Sequence, residues 1–208
     1  MADFWNSLLT EKSWSILIKI SKEPFKFIVI GGWATYLWTK QHKSKDIDIA
    51  LVDIKQIDYL KNNYNLNKNE DLRKYEIKFS EIDLDIYVPY FSKLSIPIEE
   101  LKDLSTKIEG FTVPTPESLL ILKQGAEIDR KESVKGTKDQ IDIMSILIFT
   151  KFDFKIYFKL LKEYKIENFS KRLSIIINEF KDYNYLNLTP REFKLKKKEL
   201  VDKIRMPL

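Results

Sequence analysis

Phe27-Ile28-Val29-Ile30-Gly31-Gly32 and, beyond residues 33–45, Asp46-Ile47-Asp48-Ile49 form one pattern: a β-branched run closed by two glycines, then acids alternating with isoleucines. Residues at i and i+2 of a strand project from one face, so the spacing predicts Asp46 and Asp48 side by side, with Ile47 and Ile49 turned the other way. Two carboxylates held that close repel unless a cation or a proton lies between them. A divalent metal answers that need, and a glycine pair opening a helix nearby offers backbone N–H groups to a phosphate.

Working outward, Phe25–Ile30 reads as a buried strand, Trp33–Gln41 as the next helix and Asp46–Val52 as a second strand. Upstream, Phe4, Leu8, Leu9, Ile16, Leu17 and Ile20 lie at helical spacing and predict a helix over 4–22, with a break near Lys12-Ser13 and an end before Pro24. Downstream, Ile54–Tyr64 reads as a helix and the Asn-rich stretch 62–67 as a loop. Lys74–Phe79 and Ile82–Val88 read as a hairpin turning through Ser80-Glu81 and stopping at Pro89.

Near residue 110 the character changes. Thr115, Pro116 and Glu117 supply an N-cap, a first-turn proline and a first-turn acid, and Leu119, Leu122 and Ala126 continue as an apolar stripe. Ile141–Phe149 is strongly apolar, and Phe154–Tyr164, Phe169–Phe180 and Arg191–Ile204 are helical patterns. The expected class is α+β: a small mixed sheet flanked by helices in a core domain over 1–112, then a C-terminal helical domain over 113–208. The basic run Lys194–Lys198, interrupted by Leu195, reads as a solvated helix face.

Composition narrows the chemistry. The chain has 208 residues, 44% hydrophobic, enough for a real core, and 36 basic against 31 acidic side chains give a net charge of +5, which suits a polyanionic partner without demanding one. With no cysteine, disulfides, thiolate catalysis and cysteine-ligated zinc are excluded, and a single histidine, His42, excludes a multi-histidine metal site. A metal here is held by oxygen, which points to Mg2+ or Mn2+. No apolar run approaches the ~20 residues that span a bilayer. The start, Met1-Ala2-Asp3-Phe4, lacks a basic region before a hydrophobic segment, so a cytoplasmic location without a membrane partner is expected.

The third piece is Ile82-Asp83-Leu84-Asp85-Ile86-Tyr87-Val88, again with acids on one face. Beside the Asp46–Val52 strand, one of its acids would join Asp46 and Asp48 in a three-carboxylate cluster. Such a cluster can hold two cations about 3.5–4 Å apart, clamping the attacking and leaving oxygens of an in-line phosphoryl displacement. That reaction demands positioning and charge neutralisation more than a nucleophilic side chain.

An apolar strand, Gly31-Gly32, a helix, Asp46-x-Asp48 and a later strand with a third acid resemble the DNA polymerase β-like nucleotidyltransferase superfamily over about residues 25–90. Asp85 is the better match for the third acid because Ile86-Tyr87-Val88 follows it, with Asp83 as its rival. The resemblance implies that Gly31 and Gly32 contact nucleotide phosphates, that Asp46 and Asp48 bind metal, and that Asp85 completes the metal site and helps activate the incoming hydroxyl. It further implies an enzyme transferring an NMP from an NTP such as ATP to a hydroxyl of RNA, protein or a small molecule, with pyrophosphate leaving.

Thr115-Pro116-Glu117, then Lys123, Arg130 and Lys138-Asp139-x-x-Asp142, look like the helical region of nucleotidyltransferases related to AbiEii-type toxins and their archaeal and bacterial relatives. That likeness implies nucleotide-binding roles for Lys123 and Asp142, and a toxin-type alternative that modifies tRNA beside an antitoxin partner. Where the toxin pattern has Arg-Ser or Arg-Thr before the acids, this chain has Lys43-Ser44-Lys45, which keeps the charge, with Ser44 and Lys45 as phosphate contacts, but loses the bidentate fork of arginine. A non-catalytic nucleotide-binding module of the same fold is the remaining alternative. Arg130 and Lys138 are expected to pair with Glu127 and Asp142. Trp33 is expected in the core, with base stacking as its other reading.

Overall fold

A computed structural model describes residues 7–130 and 133–204. The helix expected over 4–22 is seen as α1, Ser7–Ile20, unbroken at Lys12-Ser13; Phe4 and Trp5 lie outside the described residues. It turns Leu17 and Ile20 into the core. Then come β1 (Phe27–Ile30), α2 (Gly31–Thr39), β2 (Ile47–Leu51), α3 (Ile57–Asn63), β3 (Asn67–Asn69), β4 (Lys74–Phe79) and β5 (Ile82–Tyr87). Ser105–Ile108 and Phe111–Pro114 form β6 and β7.

Strands β1 to β5 make a mixed sheet in the order β1-β2-β5-β4-β3. β2 runs antiparallel to β1 and parallel to β5, and β4 runs antiparallel to both its neighbours, β5 and β3. The β4–β5 hairpin turns at Ser80-Glu81, with Phe79 opposite Ile82 and Ser80 at φ +57°. Along β5, Ile82, Leu84 and Ile86 are buried while Asp83, Asp85 and Tyr87 are half-exposed, the alternation of a sheet with one face packed on the core. Trp33 on α2 is wholly buried; its indole N–H donates to Ser13 Oγ at 2.8 Å and its ring lies 4.9 Å from that of Trp14. Base stacking by Trp33 is thereby excluded.

The stretch 62–67 expected as a loop runs into an edge strand that the sequence pattern did not indicate, β3 over Asn67–Asn69. The β6–β7 hairpin was not foreseen. It turns through Glu109-Gly110, both at positive φ (51° and 86°), as a type I′ turn requires.

The chain divides into two units, residues 1–115 and 116–208. The second unit, among its described residues, is helical: α4 (Pro116–Arg130), α5 (Val134–Phe149), α6 (Phe154–Glu163), α7 (Asn168–Glu179) and α8 (Pro190–Ile204). Leu119, Leu120, Ile143, Ile146, Leu173 and Ile177 form part of its buried interior. Among the described residues no helix is long and apolar enough to cross a membrane.

Candidate active site

One register row crosses the sheet. Ile30, the last residue of β1, pairs with Asp48 on β2; Asp48 pairs with Asp85 on β5; Asp85 pairs with Glu76 on β4; and Glu76 pairs with Asn67 on β3. Neighbouring strands lie about 4.8 Å apart, so three carboxylates stand shoulder to shoulder on one face. The parallel β2–β5 pairing puts Asp85, and not Asp83, opposite Asp48; Asp83 pairs with Lys78.

The glycine turn lies against this row. Gly31 adopts φ +65°, and a Cβ built on it would come within 2.2 Å of Asp48 Oδ2 and 2.7 Å of its Cγ. Both the backbone and the space demand glycine. α2 starts there behind Ile30, whose apolar side chain supplies no cap to the first N–H groups. Such an end attracts anions.

The electrostatics follow from crowding. Burial, and next the charge of Asp48, push the Asp85 carboxyl up to about 6, with Lys74 opposing the shift. Lys74 Nζ donates to Asp85 Oδ2 at 2.6 Å and lies 3.1 Å from Glu76 Oε1, and only 12% of its side chain is exposed. Burial alone would lower the Lys74 amine, but its bonds with Asp85 and Glu76 raise it above the usual lysine value. Glu76 in turn accepts from Asn69 Nδ2 at 3.0 Å; against the effect of burial, Lys74 and Asn69 hold it below the ordinary glutamate range.

β2 begins at Ile47, one residue later than the strand expected over Asp46–Val52, so Asp46 lies in the bend that leads into it. Its Oδ1 is buried and has no hydrogen-bond partner among the described residues. Nor, among the described residues, do three acidic or histidine side chains converge as a metal-binding group. The three-carboxylate cluster expected from Asp46, Asp48 and Asp85 is thus not gathered into one metal-binding group among the described residues. An all-oxygen donor set with one orphaned buried oxygen nevertheless suits a hard divalent cation. Asp46, Asp48 and Asp85 are the residues that could hold it.

Of the neighbouring loop, Ser44 is buried and Lys45 is half-buried with no ion pair or hydrogen bond among the described residues. Lys43 is tied to Glu11 at 2.5 Å.

Lys123 and Asp142 belong to the second unit. Lys123 Nζ donates to Asp142 Oδ2 at 2.5 Å and to Asp139 Oδ1 at 3.4 Å, and all three side chains are almost wholly buried. Arg130 makes a two-pronged contact with Asp139, 2.7 Å from Nε to Oδ2 and 3.1 Å from Nη2 to Oδ1. The pairing expected between Arg130 and Glu127 is not made: Asp139 takes the guanidinium, and Glu127 instead accepts from Arg172 and Gln140. Asp142, expected to pair with Arg130 or Lys138, is engaged by Lys123.

Lys74 and Glu76 escaped the sequence reading, although a signal existed. Once a two-residue turn sets Phe79 against Ile82, the antiparallel register carries Glu76 to Asp85.

No family model matches the chain, and no curated protein matches it in sequence. Solved structures do resemble it. JHP933 from Helicobacter pylori is 15% identical, with 96% of this chain and 93% of that one covered at a TM-score of 0.51. This is a likeness of fold spanning nearly both chains. An antigenic nucleotidyltransferase-like protein from Paracoccidioides brasiliensis is 19% identical over 69% of this chain and 77% of its own, at a TM-score of 0.45. ANT(2")-Ia, solved with adenylyl-2"-tobramycin, is 14% identical over 80% and 97%, at 0.48.

Proposed function

We propose that this chain is a metal-dependent nucleotidyltransferase that moves an NMP from an NTP to a hydroxyl acceptor. The observation that carries the reading is the pairing of Asp48 with Asp85 directly beside the glycine-started N-terminus of α2. A carboxylate pair and an anion-seeking helix end, side by side, suit a metal–triphosphate substrate.

In this reading Asp46 and Asp48 hold Mg2+ or Mn2+, which when bound neutralises charge on the triphosphate. The N–H groups of Gly31 and Gly32 orient the phosphates, with Ser44 and Lys45 as further contacts. The acceptor oxygen forms a bond to the α-phosphorus as the bond from that phosphorus to the bridging oxygen breaks, and pyrophosphate leaves. Asp85 takes the hydroxyl proton, a role suited to a carboxylate whose proton affinity lies near neutrality. Lys123 and Asp142, the residues behind the likeness to AbiEii-type toxins, serve in this reading to build the second unit. Transfer to tRNA is the specific form that this likeness suggests.

The test is incubation with each α-labelled NTP, Mg2+ or Mn2+, and RNA and protein fractions that include tRNA. Label should enter one fraction with the wild-type chain and none with D48A. Equal labelling by D48A would overturn the reading, and NTP-dependent thermal stabilisation without turnover would favour the non-catalytic module.

A further inference from the structure

The row Asp48–Asp85–Glu76 carries three acids, and one of its gaps is already filled by a cation that belongs to the chain. The Lys74 ammonium sits between Asp85 and Glu76, within 2.6 Å of one and 3.1 Å of the other. Side-chain exposures of 12% for Lys74, 16% for Asp85 and 25% for Glu76 make this an inner contact of the site and not a solvated surface pair. Surface pairs contribute little, but a shielded cation between two acids strongly influences what else the acids can bind.

We propose that Lys74 is a resident counter-ion of the active site, holding the place of a divalent cation at Asp85 and moving onto Glu76 when that cation arrives. The inference rests on the metal-dependent reading above. Its physical basis is that Glu76 already lies within reach of the same amine, so the transfer needs only rotation of a flexible lysine stem and no backbone movement. Asn69 holds the Glu76 carboxylate in position through its bond to Oε1. The arrangement solves a problem that paired carboxylates create: without a cation they repel, and with a permanent one they could not accept a metal. A lysine with two acceptors provides a cation that can step aside.

The experiment titrates Mn2+ into the full-length chain at pH 8 with a non-hydrolysable ATP analogue present, reading bound metal by calorimetry and folding by thermal melting. Wild type should bind more tightly than D48N. K74M should bind about tenfold more tightly than wild type, because a competing positive charge is gone. K74R, which keeps the charge, should stay within about threefold of wild type. E76Q should weaken binding in the wild-type background by severalfold, and by clearly less in the K74M background, since Glu76 acts partly by receiving the lysine. Equal binding by wild type and D48N would overturn the metal-dependent reading itself, and the lysine's role with it. A preserved difference between wild type and D48N, with K74M unchanged or weaker, or with E76Q equal in both backgrounds, would overturn the role of Lys74 alone.

Discussion

Gly31 and Asp48 are locked together: the place a Cβ on Gly31 would take is 2.2 Å from the Asp48 Oδ2, and the residue's φ of +65° lies where side chains are disfavoured. The turn between β1 and α2 and the position of the carboxylate are therefore one structural decision. Gly31→Ala should push Asp48 aside and lower the proposed nucleotidyl transfer on the order of 10²-fold, as small displacements of reacting groups do. Gly110→Ala is the control. Gly110 also has positive φ (86°), but nothing lies within 4 Å of its Cβ position, so it should lose about 1 kcal/mol of stability and keep its activity. Steady-state transfer rates and denaturation of both variants check this; equal activity losses would contradict it.

Asp85 makes a prediction about pH. Its carboxyl is raised to about 6 by burial and by Asp48, so between the unfolded value near 4 and about 6 the folded metal-free chain binds more protons than the unfolded one. This group's contribution to stability must then fall as pH rises through that window, and be least favourable above it. The stability of wild type minus that of Asp85→Asn should drop by on the order of 2 kcal/mol between pH 4 and pH 7, measured by urea unfolding without metal. A difference that stays flat, or rises, across the window would show that Lys74 cancels the crowding.

Much of this arrangement is legible in the sequence where local chemistry dictates it. Pro116 opens α4 and the glycines close β1, each because a specific backbone geometry needs a specific residue, and Ser80-Glu81 marks the β4–β5 turn as the short polar gap between two apolar runs. What sequence periodicity lacks is register between distant strands. The parallel β2–β5 pairing that sets Asp85 beside Asp48 joins segments separated by α3, β3 and β4, and nothing local encodes it. β3 was missed because a short, polar edge strand gains its hydrogen bonds from β4 and carries no apolar alternation. The strand expected from Asp46 starts one residue later for a related reason: the alternation of acids and isoleucines continues into the chain before β2, although the ladder has not yet begun.

Lys123 supplies a test within the second unit. Its amine is buried against Asp142 and Asp139, so Lys123→Met would leave Asp142 as a buried carboxylate without its ammonium, while Asp139 keeps Arg130. Loss of one partner from a buried pair costs about 3–5 kcal/mol. Replacing both members, Lys123→Met with Asp142→Leu, should recover most of that loss because no charge remains uncompensated. Urea denaturation of the single and double variants decides the matter. A double variant as unstable as the single one would mean that shape, and not charge compensation, holds α4 to α5.

Ser13 and Trp33 test the other half of the core. Both side chains are wholly buried, and the indole N–H has Ser13 Oγ as its partner at 2.8 Å. Ser13→Ala would orphan that donor at a cost of about 1–3 kcal/mol, whereas Trp33→Phe in the Ser13→Ala background removes the donor and leaves only the loss of packing. The two substitutions should therefore be less destabilising together than the sum of each alone. Because Trp33 is wholly buried and turned toward Ser13, an ATP analogue should bind the folded Ser13→Ala chain as tightly as wild type. A tenfold loss of affinity at a temperature where that variant is fully folded would instead connect the α1–α2 contact to the proposed phosphate-binding end of α2.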